Sequence, residues 1–345
     1  MNVNAELISI GNELLIGDTV NTNASWLGEF LTQQGVEVTA VHTVGDDLEQ
    51  VRRTLRESLD RSDLVVTTGG LGPTHDDVTK KALQELFDAG LVVDDSVLKF
   101  IKKIFEKRNI PFSRSNYHQA EVLENCEVLF NKQGTAPGMW FRDPETGTAL
   151  AVLPGVPHEM KHLMQEKVLP KLAELLPDKE FRRSRYLVTA GIGESTLSDE
   201  VIGDLDPFLQ NGTTVAYLPS PQGTRIRISA SGRTDRELEE KMNRVADHIY
   251  DKAGDLIIGE GKELSLSEVV GNHLRERGLT LACAESCTGG LLASTLTDIP
   301  GSSDYMIGGI IAYSNRIKID DLAVSKKVLK QEGAVSRETA LQMAR

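Results

Sequence analysis

Residues 63–77 read Asp63-Leu64-Val65-Val66-Thr67-Thr68-Gly69-Gly70-Leu71-Gly72-Pro73-Thr74-His75-Asp76-Asp77. A short, continuous apolar run bounded by turn residues is the pattern of a strand buried on both faces. Three glycines within the next four residues let successive backbone N–H groups converge into an anion-binding nest. A helix predicted over 76–88 would add the positive end of its dipole. Gly69, Gly70, Gly72 and Thr74 are therefore candidate phosphate-binding residues. Asp76 and Asp77 in the same turn would repel a bare polyphosphate unless a divalent cation bridged carboxylate and phosphate oxygens, which makes both candidate metal ligands. The alternative is structural: the glycines make a tight turn and the aspartates favour the first turn of their helix. Taken alone, the motif does not choose.

The flanking sequence supplies the frame. Upstream, residues 5–10 read as a strand, Asn23 as the cap of a helix carrying Leu27, Phe30 and Leu31, and Gly35 as its end. Residues 36–41 read as a second strand, and Asp46 as the cap of a helix with Leu48, Val51, Leu55 and Leu59 on one face. This βαβαβ alternation predicts an α/β domain with a mostly parallel sheet and ligands beyond the carboxyl ends of its strands. Downstream, helices are predicted over 76–88 and 95–108 and strands over 128–130 and 149–153. Three more polar, glycine-bearing loops then fall at strand ends: Gly11-Asn12-Glu13, residues 131–138 with Gly134, Thr135 and Gly138, and residues 154–159 with Gly155. Four such loops on one sheet edge favour a site over four unrelated turns. His75 also reads as a plain loop residue and Glu159 as part of a helix's first turn.

At 345 residues the chain is long enough for two or three domains of about 150 residues each. Residues 1–172 form the first. Strand, helix, strand, strand and helix over 178–255 predict a small α+β domain whose glycine turn, Gly191-Ile192-Gly193, is not a GxxG nucleic-acid clamp. Residues 256–264 read as a linker, and Ser265 with Glu268 as a capping box opening a third, α/β domain over 265–345. With 38 Lys and Arg against 51 Asp and Glu, the net charge of −13 disfavours phosphate backbones as partners, so nucleic acid is not expected. Three cysteines, Cys126, Cys283 and Cys287, without a CxxC pair fit reduced thiols, and no apolar stretch approaches membrane-spanning length, so a cytoplasmic protein with no membrane partner is expected.

The third domain carries Glu285-Ser286-Cys287-Thr288-Gly289-Gly290 and Tyr313-Ser314-Asn315-Arg316-Ile317-Lys318. A serine on a strand-to-helix turn beside glycines can attack a carbonyl near backbone N–H groups, given a base. No histidine follows His273, which leaves Lys318, with Tyr313 as a proton relay. The competing reading is that Ser286 and Thr288 cap a helix and Lys318 is a surface charge; spacing alone favours it.

Together these segments resemble the CinA family. GGLGPTHDD, GTAPG and LPGVPHE look like the molybdopterin-binding fold shared with MogA and MoeA proteins, and ESCTGG with YSNRIK resembles the CinA C-terminal domain. The resemblance implies hydrolysis of ADP-ribose at its pyrophosphate, with a divalent cation of the Mg or Co type. Asp46 and Asp77 stand at the acidic positions associated with activity. Leu71 stands where the GGTG version has threonine, which counts against molybdopterin chemistry and leaves the nest intact. The middle domain is implied to be KH-like. The third is implied to be a cofactor-free nicotinamide mononucleotide deamidase using Ser286, Tyr313 and Lys318. A further glycine-rich TGIAGP-type segment belongs to that pattern and is missing here, so the third domain is expected to be incomplete. A homodimer is expected. The alternatives are a pterin- or nucleotide-binding module without turnover, or a competence or DNA-repair interaction protein.

Overall fold

The computed structural model describes residues 3–72, 77–176 and 180–345, apart from the side chains of Arg114 and Ser115. Thr74, His75 and Asp76 lie outside the described residues. The chain divides into two compact units near residue 183, and each is taken by itself.

The first unit begins β1 (Asn4–Ile10), α1 (Asn12–Leu15), α2 (Thr22–Gln33), β2 (Glu37–Val44), α3 (Leu48–Leu59) and β3 (Leu64–Thr68). It continues α4 (Thr79–Phe87), β4 (Leu91–Val93), α5 (Asp95–Lys107), α6 (Arg114–His118), β5 (Glu121–Leu123), β6 (Glu127–Leu129), β7 (Gly138–Arg142), β8 (Ala149–Leu153), α7 (Pro157–Leu163) and α8 (Leu169–Leu175). Six strands form one sheet in the order β2-β1-β3-β8-β7-β6. β2, β1, β3 and β8 pair in parallel, as the alternation predicts. β7 is the departure: Gly138, expected as the end of a loop, and the unassigned residues 139–142 form a strand antiparallel to both neighbours, which restores β6 to the direction of β8. The loops after β1, β3, β6 and β8 therefore all emerge on one edge.

Alternation along the strands builds a core on each face. Ala5, Leu7, Leu64, Val66, Ala149 and Ala151 pack against Leu27 and Leu31 of α2 and Met160 and Leu163 of α7. Ile8, Ile10, Val65, Leu150 and Val152 pack against Val51, Leu55 and Leu59 of α3 and Ala82 and Leu83 of α4. One charge interrupts the second face. Glu6 is buried there and accepts hydrogen bonds from Arg61 (2.9 Å), Ser58 (2.8 Å) and His42 (2.7 Å). Burial pushes its carboxyl up, but these donors, Arg61 foremost, outweigh it and hold the group at about 2. A depressed carboxylate pKa contributes stability above the unfolded value that is lost as pH falls through the folded one. Acid titration followed by circular dichroism should therefore show a loss on the order of 2 kcal/mol between about pH 4.5 and pH 2, after allowance for the half-exposed Arg61. Glu6→Gln should be less stable at pH 7 and lack that step; an unchanged acid limb would remove the network's role.

Two expected caps lie elsewhere by one or two residues. Asn21, not Asn23, caps α2 by accepting from the Ala24 N–H, and Asp47, not Asp46, caps α3 by accepting from the Gln50 N–H. Neighbouring Asx residues offer the same chemistry, so sequence does not resolve which turns inward.

Beyond the first domain, β9 (Phe181–Thr189), β10 (Thr213–Ser220) and β11 (Gly223–Gly232) precede the long α9 (Asp235–Ala253). β12 (Ile257–Glu260) follows and pairs antiparallel with β9, giving the order β10-β11-β9-β12. Residues read as linker thus complete this sheet by pairing along the otherwise open edge of β9, and α9 buries Leu238, Val245 and Ile249. The chain continues α10 (Leu266–Glu276), β13 (Leu281–Glu285), α11 (Leu291–Thr297), β14 (Met306–Ile311), α12 (Asn315–Asp320), α13 (Lys326–Gln331) and α14 (Arg337–Met343). Ser265 caps α10 through the Glu268 N–H, as its capping box predicts. β13 and β14 pair in parallel, and Tyr305, fully buried, donates to the Leu296 carbonyl at 2.8 Å. Among the described residues no helix is long and apolar enough to cross a membrane.

Candidate functional site

The four loops meet. A cavity of about 400 Å3 is lined by residues from each, including Gly11 and Glu13 after β1, Gly69 to Gly72 and Asp77 after β3, Thr135 after β6, and Gly155 and Glu159 after β8. Gly69 (φ 108°) and Gly70 (φ 64°) hold left-handed backbone. A Cβ at Gly69 would lie 2.1 Å from the Ile10 carbonyl oxygen, so only glycine lets the β3 loop pass so close to β1. Thr79 at the start of α4 closes the loop by donating its hydroxyl to the Gly69 carbonyl at 2.8 Å.

The nest differs from expectation in one respect. The Gly72 N–H donates to Asp77 Oδ1 at 2.7 Å, so the loop holds its own carboxylate where an external anion was expected. Asp46, released from capping, lines the same cavity, and its Oδ2 accepts from the Asn12 N–H at 2.9 Å. Asp46 and Asp77 are thus brought together with Glu13 and Glu159 around one space. Glu159 is buried, accepts from the Asn131 amide, and packs so closely on Gly134 that a Cβ there would sit 1.9 Å from its carboxyl carbon. Burial pushes its pKa up, only partly offset by the Asn131 hydrogen bond and the nearby His158. Carboxylate oxygens are the donors a hard divalent cation takes, usually one or two together with substrate phosphates and water. Among the described residues no three His, Cys, Asp or Glu converge as a metal cluster, so such a cation would draw further oxygens from its ligand.

Gly138 stands at this edge, opposite Leu129 at the end of β6, but is not among the residues lining the cavity; it opens β7 and sits against the Val152 carbonyl. Gln119, which sequence gave no signal for, does line the cavity. It follows the short α6, whose position is fixed by buried Lys80: its ammonium donates to the His118 carbonyl at 2.9 Å. Burial pushes the Lys80 pKa down to about 8 against the raising influence of Glu121 and Asp77.

In the third domain the capping reading fails on geometry. α11 is capped by Gly290 at Leu291, and the Ser286 hydroxyl instead accepts from Lys318 Nζ at 2.9 Å. Lys318 is 1 % exposed, and its other two donors go to the carbonyls of Ala312 (2.6 Å) and Tyr313 (3.1 Å). Tyr313 thus contributes its backbone, while its side chain is 73 % exposed. Glu285, buried at the end of β13, shapes the serine turn by accepting from Thr288 and from the N–H groups of Ala293, Leu292 and Gly290, which hold its carboxyl below the usual range.

Comparison with known proteins finds three family matches that tile the chain: a probable molybdopterin binding domain over residues 6–174, the damage-inducible protein CinA KH domain over 184–259, and the CinA C-terminal domain over 263–345. The last match corrects the expectation of an incomplete third domain: the CinA C-terminal domain is present over residues 263–345. A CinA-like protein of Chloroherpeton thalassium is 42 % identical over 342 residues, 99 % of this chain and 80 % of the relative. Another, from Salinibacter ruber, is 42 % identical over 340 residues, 99 % of this chain and 81 % of its own. The solved CinA of Thermoplasma acidophilum is 38 % identical, with 50 % of this chain and 98 % of that chain covered at a TM-score of 0.45. Identity sustained from the first strand through the last helix in such relatives leaves one assignment: the chain belongs to the CinA family.

Proposed function

We propose that the first domain hydrolyses the pyrophosphate of ADP-ribose or a closely similar dinucleotide. The observation that carries this reading is the placement of Glu13, Asp46, Asp77 and Glu159 around one cavity floored by the glycine loop of β3. An attacking water needs a carboxylate to take its proton, and this edge offers several. A divalent cation held by Asp77 and Asp46, with Asp76 beside them in sequence, would supply charge neutralisation on the phosphate oxygens. Water adds to one phosphorus, the bridging P–O bond breaks, and the products are AMP and ribose 5-phosphate. Gly134, Thr135 and Gly155 border the phosphate path, and Thr74 belongs to the same loop. The test is product release from ADP-ribose by the full chain with magnesium or cobalt chloride. Tight binding by calorimetry without product would reduce the domain to a nucleotide-binding module.

The third domain is assigned the deamidation of nicotinamide mononucleotide. With Lys318 as the free amine, its two N–H groups on the Ala312 and Tyr313 carbonyls, Ser286 Oγ gives its proton to the Nζ lone pair and attacks the carboxamide carbon; Lys318 passes that proton to the departing ammonia, and water then releases the acid. The Ser286–Lys318 contact supports this reading; Tyr313 has its phenol in solvent, where it can meet the substrate.

A further inference from the structure

Beside the carboxylate-lined cavity lies a second one of about 550 Å3, whose walls include Phe100, Ile104, Lys107, Arg108, Lys132 and His158. Thr135 and Glu159 belong to the walls of both. The two spaces therefore adjoin, one lined by carboxylates and the other by cations. In a chain of net charge −13, cations are readily paired, as Arg56 is with Asp143 and Arg61 with Glu6. Among the described residues no ion pair engages Lys107, Arg108 or Lys132, although they come from two separate segments, the end of α5 and the loop after β6. Unpaired cations gathered from different elements around one hollow suit an anion that the protein itself does not supply. The wall between them is apolar: Phe100 is held edge-on by Phe130 at 5.0 Å, with Ile104 one turn further along α5. A flat aromatic base is the partner such a wall takes, and the Gln133 amide beside it can meet the base's polar edge.

We propose that this cavity is the nucleoside monophosphate subsite of the first domain. It takes the purine base and adjoining phosphate of a dinucleotide, and the P–O–P link crosses at Thr135 and Glu159 toward the carboxylates. This rests on the pyrophosphatase reading above and adds which end of the substrate lies where. It also sets a specificity: dinucleotides with an aromatic base are taken, while pyrophosphates carrying sugars alone bind poorly.

The test uses the full chain and the double variant Arg108→Ala/Lys132→Ala, two exposed positions outside the core. Calorimetry with AMP should show a dissociation constant raised about tenfold or more, as expected for losing charge-assisted contacts to a phosphate. Ribose 5-phosphate, which lacks the base, should change far less, and the KM for ADP-ribose should rise with that for AMP binding while kcat carries the smaller part of the loss. Equal affinity of both proteins for AMP, or an equal loss for AMP and ribose 5-phosphate, would overturn the subsite. The two readings fail separately. Wild-type AMP binding that disappears in the double variant, without any turnover of ADP-ribose, keeps the subsite and removes the hydrolysis. Cation-dependent turnover with AMP affinity untouched by the substitutions does the reverse.

Discussion

Asp77→Asn should lower cation-dependent hydrolysis of ADP-ribose by about 10²- to 10⁴-fold, the several kcal/mol expected on losing a charged ligand of the cation that neutralises the phosphate oxygens. The substitution keeps the shape of the side chain, and the asparagine oxygen can still accept from the Gly72 N–H, so the loop and the melting temperature should hold. Binding of AMP should not weaken, because the variant removes a negative charge from a cavity that must admit phosphate. A fall in rate without a fall in product affinity separates a role in the reaction from a role in holding the loop. Chromatographic assay of AMP and ribose 5-phosphate decides it: hydrolysis within a few-fold of wild type removes Asp77 from the chemistry.

A comparable effect is expected in the third domain. Ser286→Ala and Lys318→Ala should each reduce ammonia release from nicotinamide mononucleotide on the order of 10³-fold or more, and the double variant should lose no more than either, because nucleophile and base act as one unit. Their effects on folding should differ. Ser286→Ala removes one of three acceptors of Lys318 Nζ and should cost about 1 kcal/mol. Lys318→Ala leaves the Ala312 and Tyr313 carbonyls without their donor and should cost more, so circular dichroism must accompany its assay. Turnover retained by folded Ser286→Ala would end the nucleophile assignment whatever Lys318→Ala does.

How much of this was legible in the sequence depends on where tertiary contacts enter. β1, β3 and β8 announce themselves because strands buried on both faces are mostly apolar, with Glu6 and Ser9 in β1 and Thr67 and Thr68 in β3 the buried polar exceptions. β7 hides because Gly138, its first residue, looks like the end of a glycine loop, and only pairing with β8 reveals that it is strand. The site was legible as a set of loops and illegible as a set of contacts. Nothing local says that Asp47 caps α3 and so leaves Asp46 to the cavity, that Asp77 turns back on Gly72, or that Gln119 arrives after a five-residue helix held by Lys80. In the third domain, a serine that could cap and a lysine that could be solvated read as neutral features until a 2.9 Å contact 32 positions apart in sequence joins them.

The reversed direction of β7 has a consequence for how this domain can change over generations. Because β7 runs against its neighbours, the turn between it and β8, residues 143–148, emerges at the end of the sheet opposite the edge that carries the candidate site. Asp143 anchors that turn, buried and gripped by Arg56 and the Thr146 hydroxyl, whereas the Glu145 side chain stands 76 % exposed and Gly147 has open space around it. Added loop length costs little once the ends of a hairpin are pinned. The turn is thus a place where lineages can acquire extra residues, or an engineer can graft a handle, while the cavity at the other end of the strands is left as it was.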